Sequence, residues 1–221
     1  MAPQDSGDDV PYGQKELVHM KILIISDRAS PLIYDYFDQN RHIFEDVELV
    51  LSAGDLTAKY LEYVVTMIPA PLLYVPGNHD QRYEERPPEG CVCVDGRIVT
   101  VKGLRIAGLG GSPSANPDGV YKLTEQQMAK RVKWLSGHSK NAIDIFLTHS
   151  PAFGLGDDGH SGHPGFECFV DALDQINPRF HIFGHVHPEY LGGREYENPG
   201  CYGESVLYNA AVPRFYKIVE V

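Results

Sequence analysis

Basic residues are scarce in this chain: 19 Lys and Arg stand against 30 Asp and Glu, a formal charge of −11 over 221 residues. So acidic a surface repels polyanions, which argues against a long nucleic acid or an anionic membrane face as the partner. A local positive centre, such as a bound metal ion, would still draw in a small anion. Long apolar runs are missing as well: none approaches the roughly 18–20 residues that cross a bilayer. Cysteine is limited to Cys91, Cys93, Cys168 and Cys201. Residues two apart on a strand share a face and make a poor disulfide, and no second Cys/His pair completes a structural zinc spacing. Free, buried thiols in a reducing cytoplasm are the expectation.

Repeats, low-complexity tracts and domain-separating linkers are also absent. The first 19 residues carry Asp5, Asp8, Asp9 and Glu16 without an apolar centre, unlike a secretory signal. They are expected to be a flexible N-terminal extension, with an added start or an edge element as the other readings. Residues 20–221 are expected to form a single domain, since a 43% hydrophobic, 22% charged composition can bury a full core.

Short apolar runs alternate with longer periodic segments. Strands are expected at Lys21–Ile25, Leu49–Ser52, Leu72–Val75, Ile98–Val101, Leu104–Gly108, Ile143–Thr148, Phe180–Phe183, Ser205–Asn209 and Phe215–Val219. Helices are expected at Leu32–Asp38, Ala58–Met67, Thr124–Ser136 and Gly165–Gln175, the third opening on the capping-box pattern Thr-Glu-Gln-Gln. Strand–helix alternation in the first half predicts parallel pairing with crossover helices, and the strand–turn–strand runs predict antiparallel additions.

The informative residues follow the strands. Asp27 follows the first, Asp55 (in SAGDL) the second, Asn78-His79-Asp80 (in PGNHD) the third, His149 (in THSP) a later one, and His185 and His187 (in GHVH) another. In an open α/β sheet, ligands gather beyond the carboxyl ends of the strands, so five strand ends deliver Asp, Asp, Asn and three His to one edge. Mixed imidazole and carboxylate donors suit Mn, Fe or Zn and are too nitrogen-rich for Ca or Mg alone. Gly54, Gly77 and Gly184 are expected to let the chain turn just before each ligand. Taken alone, Asp27 could equally cap the helix that follows.

The ordered set of GD, GNHD, a lone His and GHxH resembles the calcineurin-like metallophosphoesterases. It runs from Asp27 to His187, and its flanking text is similar to an uncharacterised bacterial subgroup. The resemblance implies a four-layer αββα sandwich, two mixed sheets face to face with helices outside. It implies one or two divalent transition-metal ions, manganese first, with Fe, Zn or Ni as alternatives. Asp55 would bridge the two ions; Asn78, His149 and His185 would complete one site, and Asp27 and His187 would serve the other. His79 would contact the phosphoryl group or protonate the leaving oxygen, with Asp80 holding its imidazole. Two metals about 3.5–4 Å apart activate water and clamp the phosphoryl oxygens of an in-line displacement.

One position departs from the family pattern, where D-x-H reads Asp27-Arg28-Ala29, so one site is expected to be weak. Arg28 is either a surface side chain or a substrate contact. His160 and His163, in the Gly/Asp-rich loop before the last helix, are either solvent-facing or close to the metals and substrate. The expected activity is cytoplasmic hydrolysis of a small phosphodiester or phosphomonoester, with short inter-motif loops leaving no room for a substrate-capping domain. A non-catalytic metal-binding scaffold is the alternative.

Overall fold

The structure is a computed structural model and describes residues 20–139, 142–157, 163–187, 200–211 and 216–221. The expected N-terminal extension, residues 1–19, and His160 lie outside the described residues.

The chain order is β1 (Lys21–Ile25), α1 (Pro31–Tyr34), α2 (Phe37–Phe44), β2 (Leu49–Ser52), α3 (Ala58–Met67), β3 (Leu72–Tyr74) and β4 (Val92–Cys93). There follow β5 (Arg97–Val101), β6 (Leu104–Leu109), β7 (Ser112–Pro113), β8 (Lys122–Leu123), α4 (Glu125–His138) and β9 (Ile145–Thr148). The last elements are α5 (Glu167–Ile176), β10 (Phe180–Phe183), β11 (Cys201–Tyr202), β12 (Ser205–Asn209) and β13 (Tyr216–Glu220). One sheet has the order β13-β1-β2-β3-β4, parallel except for β13; the other has the order β11-β12-β10-β9-β6-β5, parallel except for its two edge strands. Strands β7 and β8 form a separate parallel pair.

Side-chain alternation explains why the strands read as continuous apolar runs. In β1, Ile22 and Ile24 pack into the layer between the sheets, whereas Leu23 and Ile25 pack under α1–α3. In β9, Ile145 and Leu147 face the inter-sheet layer and Phe146 faces α4 and α5. A strand covered on both sides has no polar face. Three apolar layers thus separate four structural ones, which is the αββα sandwich.

Helix α4 opens as expected, Thr124 and Gln127 closing both halves of the capping box. Helix α5 has no side-chain cap of its own. Glu125 of α4 instead accepts the Glu167 and Cys168 amides at 3.2 and 2.6 Å.

The single helix expected over Leu32–Asp38 is in fact two, α1 and α2, broken at Asp35–Tyr36, because Phe37 and Phe44 must bury on one face while α1 buries Ile33. The strand expected from Ile143 begins at Ile145, since Asp144 turns its carboxylate back onto the Arg105 amide at 2.8 Å. The last strand runs Tyr216–Glu220, and Phe215, where it was expected to start, lies outside the described residues. The cysteines are free as expected, but of the four only Cys168 is buried. Cys91 and Cys93 are half-buried and Cys201 is exposed, and burial pushes the Cys91 thiol up to about 11.

Candidate metal centre

Strand ends β1, β2, β3, β9 and β10 meet at one edge of the sandwich. Asp27, Asp55 and His185 all have positive φ, at 65°, 57° and 67°. A residue with a Cβ held there costs about 1–3 kcal/mol, so each needs external restraint. The Asp27 amide donates to the Gly54 carbonyl at 2.9 Å, the Asp55 amide to Asp80 Oδ2 at 2.7 Å, and the His185 amide to Asp27 Oδ2 at 3.0 Å. The strained backbones therefore hold one another in place. Gly54 is a turn glycine with φ 93°, as expected, whereas Gly77 and Gly184 serve a different need. A Cβ at Gly77 would lie 2.1 Å from Asp55 Oδ1, and one at Gly184 would lie 1.9 Å from Ser26 Oγ. Close approach, rather than turning, fixes glycine at these two positions.

The resulting cluster has the form of a metal site. Donor atoms of Asp55, His149 and His185 lie within 4.8 Å of one another. Asn78 Oδ1 is 3.0 Å from His149 Nε2, and Asp55 Oδ2 is 3.4 Å from the same nitrogen. On its other side, His149 Nδ1 donates to the Ala53 carbonyl at 2.7 Å. A ligating histidine is usually fixed in this way, its second nitrogen bonded to backbone so that the first points at the ion. One carboxylate, one amide oxygen and two imidazoles, buried together, fit a divalent transition metal.

The electrostatics match. Burial raises the Asp55 carboxyl, but the nearby His149 and the His79 amide outweigh it and hold it down to about 2. Burial disfavours charge on His149, yet the Asp55 carboxylate prevails and lifts it to about 9. Burial, then the His149 and His163 charges, drive His185 well below its usual value, leaving a neutral ring. The cluster thus sets an ionised Asp55 against a protonated His149 and a neutral His185 in a largely buried site.

Residues 20–189 match the sequence profile of the calcineurin-like phosphoesterases, well over half of the chain. The chain belongs to that family. Among curated proteins, none matches. Three solved structures are similar to this calcineurin-like phosphoesterase. The first is 13% identical, covers 92% of this chain and 95% of its own, and has a TM-score of 0.67. The protein TT1561 of Thermus thermophilus is 16% identical over 92% of this chain and 99% of its own, with a TM-score of 0.61. A novel archaeal phosphodiesterase is 15% identical over 91% and 100%, with a TM-score of 0.37. At these identities the first two speak to the fold.

The remaining predicted residues of this phosphoesterase occupy distinct places. Asp27 accepts the His185 amide, so it touches the cluster, and burial raises its carboxyl above the usual range. His187 is half-buried and near enough to His185 to oppose its protonation. Ala29 packs into the apolar layer under the helices, where the Tyr60 hydroxyl accepts the Ser30 amide at 3.3 Å. Arg28 is exposed.

His79 is exposed beside the centre, and its amide donates to Asp55 Oδ1 at 2.8 Å. Asp80, expected to hold the His79 ring, has an Oδ2 that accepts the Asp55 and Gly77 amides at 2.7 and 2.8 Å. Burial, outweighing these bonds, raises the Asp80 carboxyl to about 7. The His163 ring lies 5.1 Å from the His185 ring. Its loop is clasped by Asp157, which accepts the Gly154 and Gly165 amides, both at 3.0 Å.

Sequence reasoning missed the backbone-holding bonds of Asp80, the Ala53 carbonyl behind His149 and the Asp157 clasp. A buried-type Asp immediately after GNH was the one available signal.

Proposed function

We propose that residues 20–221 act as one domain that hydrolyses a small phosphomonoester or phosphodiester with a divalent transition metal, manganese first. The observation that carries this reading is the convergence of Asp55, His149 and His185 donors within 4.8 Å, with the Asn78 oxygen against them. These four residues would hold one ion tightly. Asp27, Asp55 and His187 would hold a second more loosely, because Ala29 offers no donor where the family has histidine. The metal, when bound, supplies Lewis-acid activation of water and neutralises phosphoryl charge.

The chain's own residues do the rest. His79 is exposed beside the centre, where its imidazole would meet the departing ester oxygen. As the oxygen of a water that has released a proton to solvent bonds to phosphorus and the P–O ester bond breaks, His79 would deliver a proton to the alkoxide leaving group and recover one from solvent. Its amide, bonded to Asp55, and the Asp80 carboxylate, bonded to the Asp55 amide, keep the Asp55 carboxylate in register. Buried His149 and His185 exclude bulk water on the inner side. Arg28 and His163 would serve as charge and hydrogen-bond contacts to the substrate.

Hydrolysis of bis(p-nitrophenyl) phosphate and p-nitrophenyl phosphate with added Mn²⁺, Fe²⁺, Zn²⁺ or Ni²⁺ tests the reading. Turnover that falls at least ~100-fold in His79→Ala, with metal still bound, is the expected result. Absence of turnover with every metal would leave a metal-binding scaffold instead. Calorimetric titration yielding two equally tight ions would overturn the asymmetry between the sites.

A further inference from the structure

A groove of about 690 Å³ opens directly on Asp55 and His79. Its walls are two chain segments, Asp55–Lys59 leading into α3 and His79–Arg86 following β3. Two contacts lock the walls together across the floor. Asp80 Oδ2 accepts the Asp55 amide at 2.7 Å, and the Tyr83 hydroxyl donates to the Leu56 carbonyl. Leu56 and Tyr83 are buried beneath the groove and make its floor apolar, whereas Lys59 and Arg82 stand exposed along its rim.

Among the described residues, no ion pair engages the Lys59 or Arg82 side chain, while Arg86 further along is 3.5 Å from Glu62. With a net charge of −11, the protein has few cations to spare, yet two without a carboxylate partner flank one cavity. Lys59, Arg82 and Arg86 are matched in number by Asp55, Asp80 and Glu85 among the lining residues, but Asp55 and Asp80 belong to the centre, which leaves Glu85 as the acid beside the rim cations. A cavity of this size holds a small molecule and is too small for a polymer. Walls already cross-linked need little ordering on binding, which preserves affinity.

We propose that this groove is a binding subsite for the alcohol side of the substrate, and that the preferred substrate is a small phosphate ester whose alcohol carries a second phosphate. The proposal rests on the phosphoesterase reading above. An ester with its reacting phosphoryl at Asp55 and His79 can extend its alcohol along the groove between these two walls. The carbon skeleton lies on Leu56 and Tyr83. The second phosphate meets the Arg82 guanidinium, whose planar fork matches phosphate oxygens, and the Lys59 ammonium as a point charge.

The test uses the p-nitrophenyl ester of thymidine 5′-phosphate with and without a 3′-phosphate. In the intact protein loaded with Mn²⁺, the 3′-phosphate raises kcat/KM about tenfold, and the Lys59→Gln/Arg82→Gln double variant loses that ratio. Calorimetry on the metal-free protein gives a second readout: thymidine 3′,5′-bisphosphate binds about tenfold tighter than thymidine 5′-phosphate, and the double variant binds both alike. Turnover of both esters at equal kcat/KM, with equal binding of both nucleotides, overturns the subsite and leaves the phosphoesterase reading intact. No turnover of either ester overturns that reading, and the metal-free binding then decides the subsite by itself.

Discussion

The two sheets contribute different chemistry to the centre. The β1–β2–β3 sheet delivers oxygen: Asp27, Asp55 and Asn78 all follow its strands. The β9–β10 sheet delivers nitrogen: His149, His185 and His187 follow its strands. Hard donors come from one layer and borderline donors from the other, so the donor set exists only when the sandwich is closed. The cluster is at once a candidate metal centre and a seam, and an ion placed in it would bond the layers together. The two halves also differ in how they are kept. Hydrogen bonds to strained backbone serve both sides, at Asp27, Asp55 and His185, whereas burial and the Ala53 carbonyl that orients His149 are particular to the nitrogen side.

The seam breaks most sharply at Gly184. A Cβ there would press on Ser26 Oγ at 1.9 Å and Asp27 Oδ2 at 2.6 Å, both on the opposite sheet. Gly184→Ala is expected to lose about 3 kcal/mol or more in urea unfolding, at the upper end of overpacking costs. Gly203→Ala, where a Cβ meets nothing within 4 Å, bears only the strain of a φ of 57°. Equal losses in the two variants would show that the sheets do not meet as tightly as described.

Metal loading sharpens the comparison from the other side. An ion that bonds both sheets binds the folded state alone, so at free metal 100 times the Kd it adds about 2.7 kcal/mol of stability. Thermal unfolding with Mn²⁺ and with EDTA measures this, and His149→Ala should remove most of the difference. A melting temperature indifferent to metal would mean that the layers hold together without an ion.

Protons distinguish the two donor sets more gently. Asp55 stays ionised above about 2, so protons do not compete for it near neutrality. His149 keeps its proton up to about 9, and a metal must displace it. Apparent metal affinity is therefore expected to tighten tenfold, about 1.4 kcal/mol, for each unit of pH between 7 and 8, and to level off above about 9. The metal-free protein moves oppositely. A histidine with a raised pKa stabilises fully below its unfolded value near 6.5 and loses that contribution as pH rises through about 9. Calorimetric titrations at pH 6, 7, 8 and 9 would reveal a flat profile if His149 is not the proton that leaves.

Much of this was legible in the sequence, and what was not has physical causes. Strands β1, β2, β10 and β12 were read to the residue because continuous apolar runs between turn residues leave few alternatives. The two-residue strands β4, β7, β8 and β11 are too short for any period to register and exist through pairing partners alone. The donors were readable as punctuation after strands, a local signal. The groove was not, because Tyr83 and Leu56 are 27 positions apart and only folding brings them together. The same holds for Asp80, whose carboxylate serves an amide 25 positions away. Ala29 was visible as a missing donor, but only the packed layer around Tyr60 shows that an apolar neighbourhood surrounds it.

The pairing of β1 with β13 carries a consequence for synthesis. Strand β1, which leads into Asp27, has β2 on one side and β13 on the other, with Lys21 opposite Glu220. Met20 and Val221 exchange two backbone hydrogen bonds of 3.0 Å. Contacts so distant along the chain slow folding. On the ribosome, the strand that presents Asp27 waits with one edge open until Tyr216–Glu220 have been made. The two ends of the described fold close like a clasp, and the centre they support matures only after β13 is in place.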